Sequence, residues 1–147
     1  MGSIRFVALI LLLSCRGSAE TLASPASANC EARGGKIEIF DTEGGQIGYC
    51  RLGDHTAIEE WTLLKGGKTK AAKAFANHRK LRASIAASED ATGTAVEHCE
   101  RAGGKVAVLG RKGATLSACF FLDRSSIDAD SLFEGPKRRP VLARLLK

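Results

Sequence analysis

Four of the five cysteines in this 147-residue chain form two pairs with the same spacing. Cys30 and Cys50 lie 20 positions apart, and so do Cys99 and Cys119. Paired thiols can form disulfides, exchange electrons or bind a metal ion. The spacing lacks the close Cys-x-x-Cys arrangement of zinc sites, and His98, beside Cys99, has no further ligand at a suitable distance in sequence. We therefore predict a structural role for these four cysteines, with no metal and no cofactor.

The two cysteine pairs belong to an internal repeat. A shift of 69 positions superposes the second pair on the first without a gap. The same shift aligns Gly34-Gly35-Lys36 with Gly103-Gly104-Lys105, Asp54 with Asp123, Ile58 with Ile127, and Leu63 with Leu132. Four cysteines allow three pairings, and the repeat favours Cys30–Cys50 with Cys99–Cys119 over the crossed ones. Each repeat is too small for a self-sufficient core, so we expect each bridge to stabilise its own repeat by about 3 kcal/mol.

The fifth cysteine, Cys15, follows an apolar N-terminal segment. Arg5 precedes the apolar run 6–13, which is shorter than the roughly 20 residues that span a bilayer. These features predict a signal peptide over residues 1–14. Leu12-Leu13-Ser14-Cys15 is typical of a bacterial lipobox, in which the cysteine is acylated, for example with palmitate. Ordinary cleavage after Ala19 is the alternative, and it would release the protein into the periplasm.

Export places the cysteines in an oxidising compartment, where pairs form disulfides. Arg16 follows the cysteine where aspartate would favour retention in the inner membrane, so we expect an outer-membrane lipoprotein that faces the periplasm. Residues 15–23 would form its tether.

The local patterns predict that each repeat folds as helix, strand, strand, helix. Ser24-Pro25 begins the first helix and Gly34-Gly35 ends it. A hairpin with strands 36–40 and 46–50 follows, and a last helix is predicted over Ala57–Lys65, with its counterpart over Ser126–Glu134. The predicted fold class is therefore α+β, with two disulfide-clamped repeats at 24–66 and 93–135. A basic helical linker (67–92) joins them, and a basic tail (136–147) follows.

Residues 24–67 resemble a small domain of unknown function found in bacterial lipoproteins that are often labelled hemolysins. The matching residues include Cys30, Gly34-Gly35-Lys36, Gly44-Gly45-Gln46-Ile47-Gly48-Tyr49-Cys50 and Glu59-Glu60-Trp61. Members of that family often carry two further cysteines, at the places that Ile58 and Lys68 occupy here. The second repeat resembles the family only in its scaffold residues. The resemblance implies a lipoprotein, and it assigns no mechanism to any residue.

Differences between the two repeats suggest a candidate binding surface. Tyr49, Glu59, Glu60 and Trp61 correspond to Ala118, Asp128, Ala129 and Asp130. A buried tryptophan would not readily become an aspartate, so we predict that Trp61 is partly exposed for recognition, together with Tyr49, Glu59 and Glu60. Packing of Trp61 on its own linker is the alternative.

The net charge of the chain and the positions of its histidines limit the functions that are compatible with the sequence. The formal net charge is +6, and bases concentrate in the linker and the tail. For an exported protein this favours anionic lipid headgroups, a cell-wall polymer or another envelope protein as partner, and it disfavours nucleic acid. His55, His78 and His98 are scattered, and no catalytic arrangement is evident. We predict a non-enzymatic, membrane-anchored binding module. The alternatives are a membrane-active, hemolysin-like protein and a small proteinase-inhibitor-like domain.

Overall fold

The computed structural model describes residues 24–87 and 93–137, together with Ala143. The first half contains α1 (Pro25–Ala32), β1 (Lys36–Thr42), β2 (Gly45–Arg51), β3 (Ala57–Glu59) and α2 (Glu60–Lys65). A 3₁₀ turn (Gly66–Lys68), α3 (Lys70–Ala76) and α4 (His78–Ala86) follow. The second half contains α5 (Ala95–Arg101), β4 (Lys105–Arg111), β5 (Ala114–Phe120), β6 (Ser126–Asp128) and α6 (Ala129–Glu134). Cys15, the predicted signal peptide, residues 88–92 and most of the basic tail lie outside the described residues.

The six strands close into one barrel, in the order β1-β2-β3-β6-β5-β4. The two halves meet at two antiparallel contacts, where Ile58 pairs with Ile127 and Asp41 pairs with Gly110. In both contacts a residue pairs with its own counterpart, 69 positions away. Each half thus contributes three strands to the one barrel.

The prediction of a mixed helix and strand fold with two disulfides is confirmed. The closed barrel was not predicted, and it replaces the picture of two units that each bury their own core. Phe40 and Tyr49 from the first half pack with Leu109, Leu116 and Ala118 from the second inside the barrel. A three-stranded half would leave both of its edge strands open, and the contacts of β3 with β6 and of β1 with β4 pair part of those edges.

The disulfides join Cys30 to Cys50 and Cys99 to Cys119, each with a Cα–Cα distance of 5.7 Å. Each bridge ties the helix that begins a half to the second strand of that half. The Gly-Gly pair after each helix has two distinct roles. Gly34 ends α1 with a φ of +72°, whereas a side chain at Gly35 would collide with the sulfurs of Cys30 and Cys50.

The last helix of each half starts later than predicted. The segments 57–59 and 126–128 are strands, and α2 and α6 begin only at Glu60 and Ala129. The helix was predicted to begin at Ala57 because Thr56, followed by an acid three positions later, is typical of a helix cap. In the structure that acid, Glu59, is itself the N-cap residue. The preceding residues are extended because β3 and β6 supply the contact that closes the barrel.

The linker forms two helices, and α3 is docked on the second half. Thr69 caps α3, and the backbone N–H of Lys70 donates to Asp123 Oδ2 at 2.7 Å. The N–H of Ala71 donates to Ser125 Oγ at 3.0 Å, and Phe75 is fully buried in the core between barrel and helices. The segment therefore contributes to the shared core. Within the described part of the chain, no helix is long and apolar enough to cross a membrane.

Candidate functional site

A reciprocal polar network joins the two halves next to the candidate residues. Glu59 caps α2 by accepting from the N–H groups of Trp61 and Thr62, at 2.9 and 2.6 Å. The hydroxyl of Thr62 donates to Glu59 at 2.7 Å and accepts from the N–H of Ser126 in the other half at 3.0 Å. Glu59 is therefore a buried residue of the scaffold, and the prediction of a surface role for it is corrected.

The second half repeats this network with Asp128 in place of Glu59. The Asp128 carboxylate accepts from the N–H and the hydroxyl of Ser131, at 2.9 and 2.7 Å. Ser131 in turn accepts from the N–H of Ala57 in the first half, at 3.0 Å. Burial raises the pKa of Asp128, while the hydrogen bonds from Ser131 oppose that shift. Each half thus satisfies a buried strand N–H of the other.

Tyr49 lies inside the barrel and is fully buried, which corrects its predicted surface role. Its hydroxyl is 2.6 Å from that of Ser126, and its ring stands edge-on to Phe40 with the centroids 5.8 Å apart. Burial raises the pKa of the Tyr49 phenol. The barrel also explains why the counterpart of Tyr49 is Ala118. Both positions face one shared interior, where a large side chain from one half needs a small one from the other.

Glu60 and Trp61 are less buried than Tyr49 and Glu59. Ser27 in α1 donates to the Glu60 carboxylate at 2.6 Å, and Glu60 packs where a side chain at Gly48 would otherwise lie. Trp61 is 44% exposed, and Leu64, one helical turn later, is 39% exposed. Of the four predicted surface residues, Trp61 alone presents a large exposed side chain. The structure adds Leu64, which the comparison of the two repeats did not single out.

One end of the barrel interior is charged. The guanidinium of Arg51 donates to Glu38 Oε2 from Nε at 3.0 Å and from Nη2 at 2.9 Å. Arg111 reaches Glu38 Oε1 at 3.4 Å and also lies over the ring of Phe40. The hydrogen bond from Arg51 holds the pKa of Glu38 below its usual range. We call this end, formed by Glu38, Arg51 and Arg111, the charged mouth. A polar cavity of about 420 Å³ lies beside Arg51.

The opposite end is open, and the side chains that face its interior are uncharged. The shift of 69 positions places Ala107, Phe120 and Thr42 where the charged mouth has Glu38, Arg51 and Arg111. These residues line a cavity of about 970 Å³ together with Ile47 and Leu109. We call this end the apolar mouth. Sequence reasoning missed it, although a comparison of alternate strand positions between the repeats could have shown the substitution of charged residues by apolar ones.

The histidines do not form a catalytic arrangement. His78 and His98 are buried, and burial lowers the pKa of both, so they are neutral at neutral pH. His78 Nδ1 lies 3.1 Å from the carbonyl oxygen of Phe75, and the His98 ring stands edge-on to Phe133. His55 is exposed in a turn with a φ of +70°. Across the described ranges, no group of three or more histidine, cysteine or acidic side chains could hold a metal ion.

Comparisons with known proteins give one family and one relative. Residues 21–67, which contain the first repeat, match a family described as "Domain of unknown function (DUF333)". An "Uncharacterized protein" of Archaeoglobus fulgidus is 36% identical over 61 residues, which cover 42% of this chain and 27% of the relative. The chain thus spans about a quarter of the length of that relative. No solved structure matches the chain significantly. Neither description mentions hemolysis, and the family match covers residues 21–67.

Proposed function

We propose that the protein is a non-enzymatic binding module of the bacterial envelope, anchored in the outer membrane by an acylated Cys15 and facing the periplasm. The observation that carries this proposal is a set of exposed cations on the 3₁₀ turn and the two helices that join the halves. We call this set the basic surface. It comprises Lys68, Lys70, Lys73, Arg79 and Lys80.

The basic surface is not neutralised by its surroundings. The segment 66–87 contains no acidic residue. The ion pairs found among the described residues involve Arg51, Arg101, Arg111 and Lys137, and none involves the basic surface. One acid, Asp123, lies beside this surface, where its Oδ2 accepts from the backbone N–H of Lys70. Exposed cations that outnumber the neighbouring acids attract an anionic surface, and this attraction weakens as salt screens it.

The predicted anchor would keep the folded part near such a surface. The first described residue, Ser24, follows Cys15 by nine positions. A fully extended chain of nine residues reaches about 30 Å. A domain held within that distance of the membrane can bring the basic surface to anionic headgroups, so a weak electrostatic contact and a lipid anchor act together. Anionic lipid is therefore the partner that we favour over a cell-wall polymer or another envelope protein.

Binding to vesicles tests the basic surface. The folded chain without its acyl groups should sediment with vesicles that contain 30 mol% of an anionic phospholipid, at low salt, and should not sediment with neutral vesicles. Reversal of three exposed charges, in the triple variant Lys68→Glu, Lys73→Glu and Lys80→Glu, should reduce binding by at least tenfold, because an attraction becomes a repulsion.

A matched variant separates the surface from the net charge. Lys36→Glu, Lys105→Glu and Lys112→Glu reverse three exposed charges on β1, on β4 and in the β4–β5 turn and should leave most of the binding intact. Equal losses in the two triple variants would contradict a localised surface, and binding that does not change between 50 and 300 mM salt would contradict an electrostatic contact. Release of a trapped dye would support the hemolysin-like alternative.

The anchor has its own test. In cells fed a palmitate analogue, the full-length chain should incorporate the label, and Cys15→Ala should abolish it, because the thiol of Cys15 carries the first acyl group. The Cys15→Ala variant should then appear in the soluble periplasmic fraction, or it should remain in the membrane fraction as a longer, unprocessed precursor. Wild type and variant that both mature to a start at Glu20 would show ordinary secretion and would contradict the lipoprotein.

A further inference from the structure

We propose that the apolar mouth binds an extended peptide segment in which an apolar side chain is flanked by basic residues. The inference goes beyond the proposed function, since the site is built by the strands and the β1–β2 turn and does not need the anchor or the basic surface. It rests on the cavity, the strand edge beside it and the charge of its rim.

The cavity results from a break in the pseudo-symmetry of the barrel. At the charged mouth, Glu38 and Arg51 bond to each other, and the cavity beside Arg51 measures about 420 Å³. At the apolar mouth their counterparts are Ala107 and Phe120, which leave the space open. Ala107 points into the barrel, on the same side of β4 as the buried Leu109, and is nevertheless exposed. Its exposure shows that the interior can be reached from solvent at this end. A cavity of about 970 Å³ has room for one or two large apolar side chains.

The strand beside the cavity has an unpaired edge. Among the described residues, the ladder between β1 and β4 consists of the single pair Asp41 and Gly110. Because β1 ends at Thr42, Ala107 and Val108 pair with β5 on one side and with no strand on the other. Val108 is also 69% exposed. An open edge of this kind accepts an added strand, whose main chain supplies affinity and whose alternate side chains enter pockets.

The rim of the cavity favours a basic partner. Asp41 and Glu43 line it, and both are exposed. Among the described residues that line the cavity, none is a lysine or an arginine. Gln46 donates to Asp41 at 3.1 Å and leaves its charge in place. A peptide strand alternates its side chains, so a central apolar residue that points into the cavity has its two neighbours pointing outward toward this rim. Charge complementarity therefore selects lysine or arginine at those neighbouring positions.

Fluorescence anisotropy on the folded, disulfide-bonded chain tests the proposal. The probe is a labelled hexapeptide of sequence Lys-Leu-Lys-Phe-Lys-Leu, and the comparison peptides replace every lysine by glutamate or the central phenylalanine by proline. We expect the glutamate peptide to bind at least tenfold more weakly because its charges oppose those of the rim. The proline peptide should also lose at least tenfold because it lacks both the aromatic ring and one backbone donor. Equal binding of the three peptides would overturn the proposal.

Variants of the chain locate the site. Ala107→Phe should fill the mouth and weaken binding of the lysine peptide at least tenfold, whereas Leu122→Ser, which changes an exposed apolar residue elsewhere, should leave it unchanged. Asp41→Asn with Glu43→Gln should weaken binding severalfold and reduce its salt dependence. If Ala107→Phe impairs folding, a titration of the unmodified chain with the peptide, followed by backbone chemical shifts, replaces the binding measurement on that variant. Addition of the lysine peptide should then change the backbone chemical shifts of Ala107, Val108 and Glu43. Changes confined to the basic helices would overturn the assignment. Dodecyltrimethylammonium is a cation with one apolar chain. If it displaces the lysine peptide and binds with the same affinity, the site would instead bind a cationic lipid, and the peptide proposal would be overturned.

Discussion

The double variant Cys30→Ala, Cys50→Ala is expected to lose about 3 kcal/mol of unfolding free energy, as removal of a bridge closing a loop of this length predicts. We expect the loss to affect both halves in one cooperative transition. The reason is that the second strand of each half, which the bridge holds to its helix, also lines the common interior of the barrel. Urea unfolding followed by circular dichroism and by Trp61 fluorescence should give coincident curves with a lowered midpoint.

The equivalent variant in the second half provides the control. Cys99→Ala with Cys119→Ala removes the other bridge, and its effect should be similar because the two bridges have the same loop length and the same place in the fold. A first half that melts alone in one variant, while the second half keeps its structure, would contradict a shared core. That result would support the earlier expectation that each repeat depends on its own clamp.

Tyr49→Ala is expected to cost about 4 kcal/mol, as truncation of a fully buried aromatic side chain does. The interior of the barrel would gain a cavity, because the facing residue Ala118 is already small, and the hydroxyl of Ser126 would lose its partner. Tyr49→Phe should cost only about 1 kcal/mol, since it removes the hydroxyl and keeps the ring. Thermal and urea unfolding of both variants measure these differences.

Trp61→Ala serves as the contrast, because Trp61 is nearly half exposed. We expect a loss of unfolding free energy below about 1 kcal/mol and a larger loss of binding in pull-downs from intact envelopes. The matched change in the second half, Asp130→Ala, should alter neither property. Unfolding of the chain by Trp61→Ala would show that the tryptophan belongs to the core, and recognition through it would then have no support.

Local features of the fold could be predicted from the sequence because nearby residues decide them. Ser24 caps α1 and Gly34 ends it, as the patterns of serine, proline and glycine indicated. The 20-residue spacing, read in both repeats, favoured the bridges that the structure contains. The hairpins follow from alternating apolar residues around a glycine turn. Each of these features depends on contacts within one repeat. The second copy was needed only to choose among the three possible cysteine pairings.

The roles of the candidate residues depended on contacts between the repeats. The sequence showed that Tyr49 and Glu59 differ from Ala118 and Asp128, and that difference favoured a binding surface. Closure of the barrel brings Tyr49 into the common interior and turns Glu59 into a cap whose network reaches Ser126. It also opens the apolar mouth at Ala107 and leaves Trp61 exposed. A pattern within one repeat cannot determine how two repeats pair, because pairing depends on backbone groups and on the volume of side chains that meet only in the folded barrel.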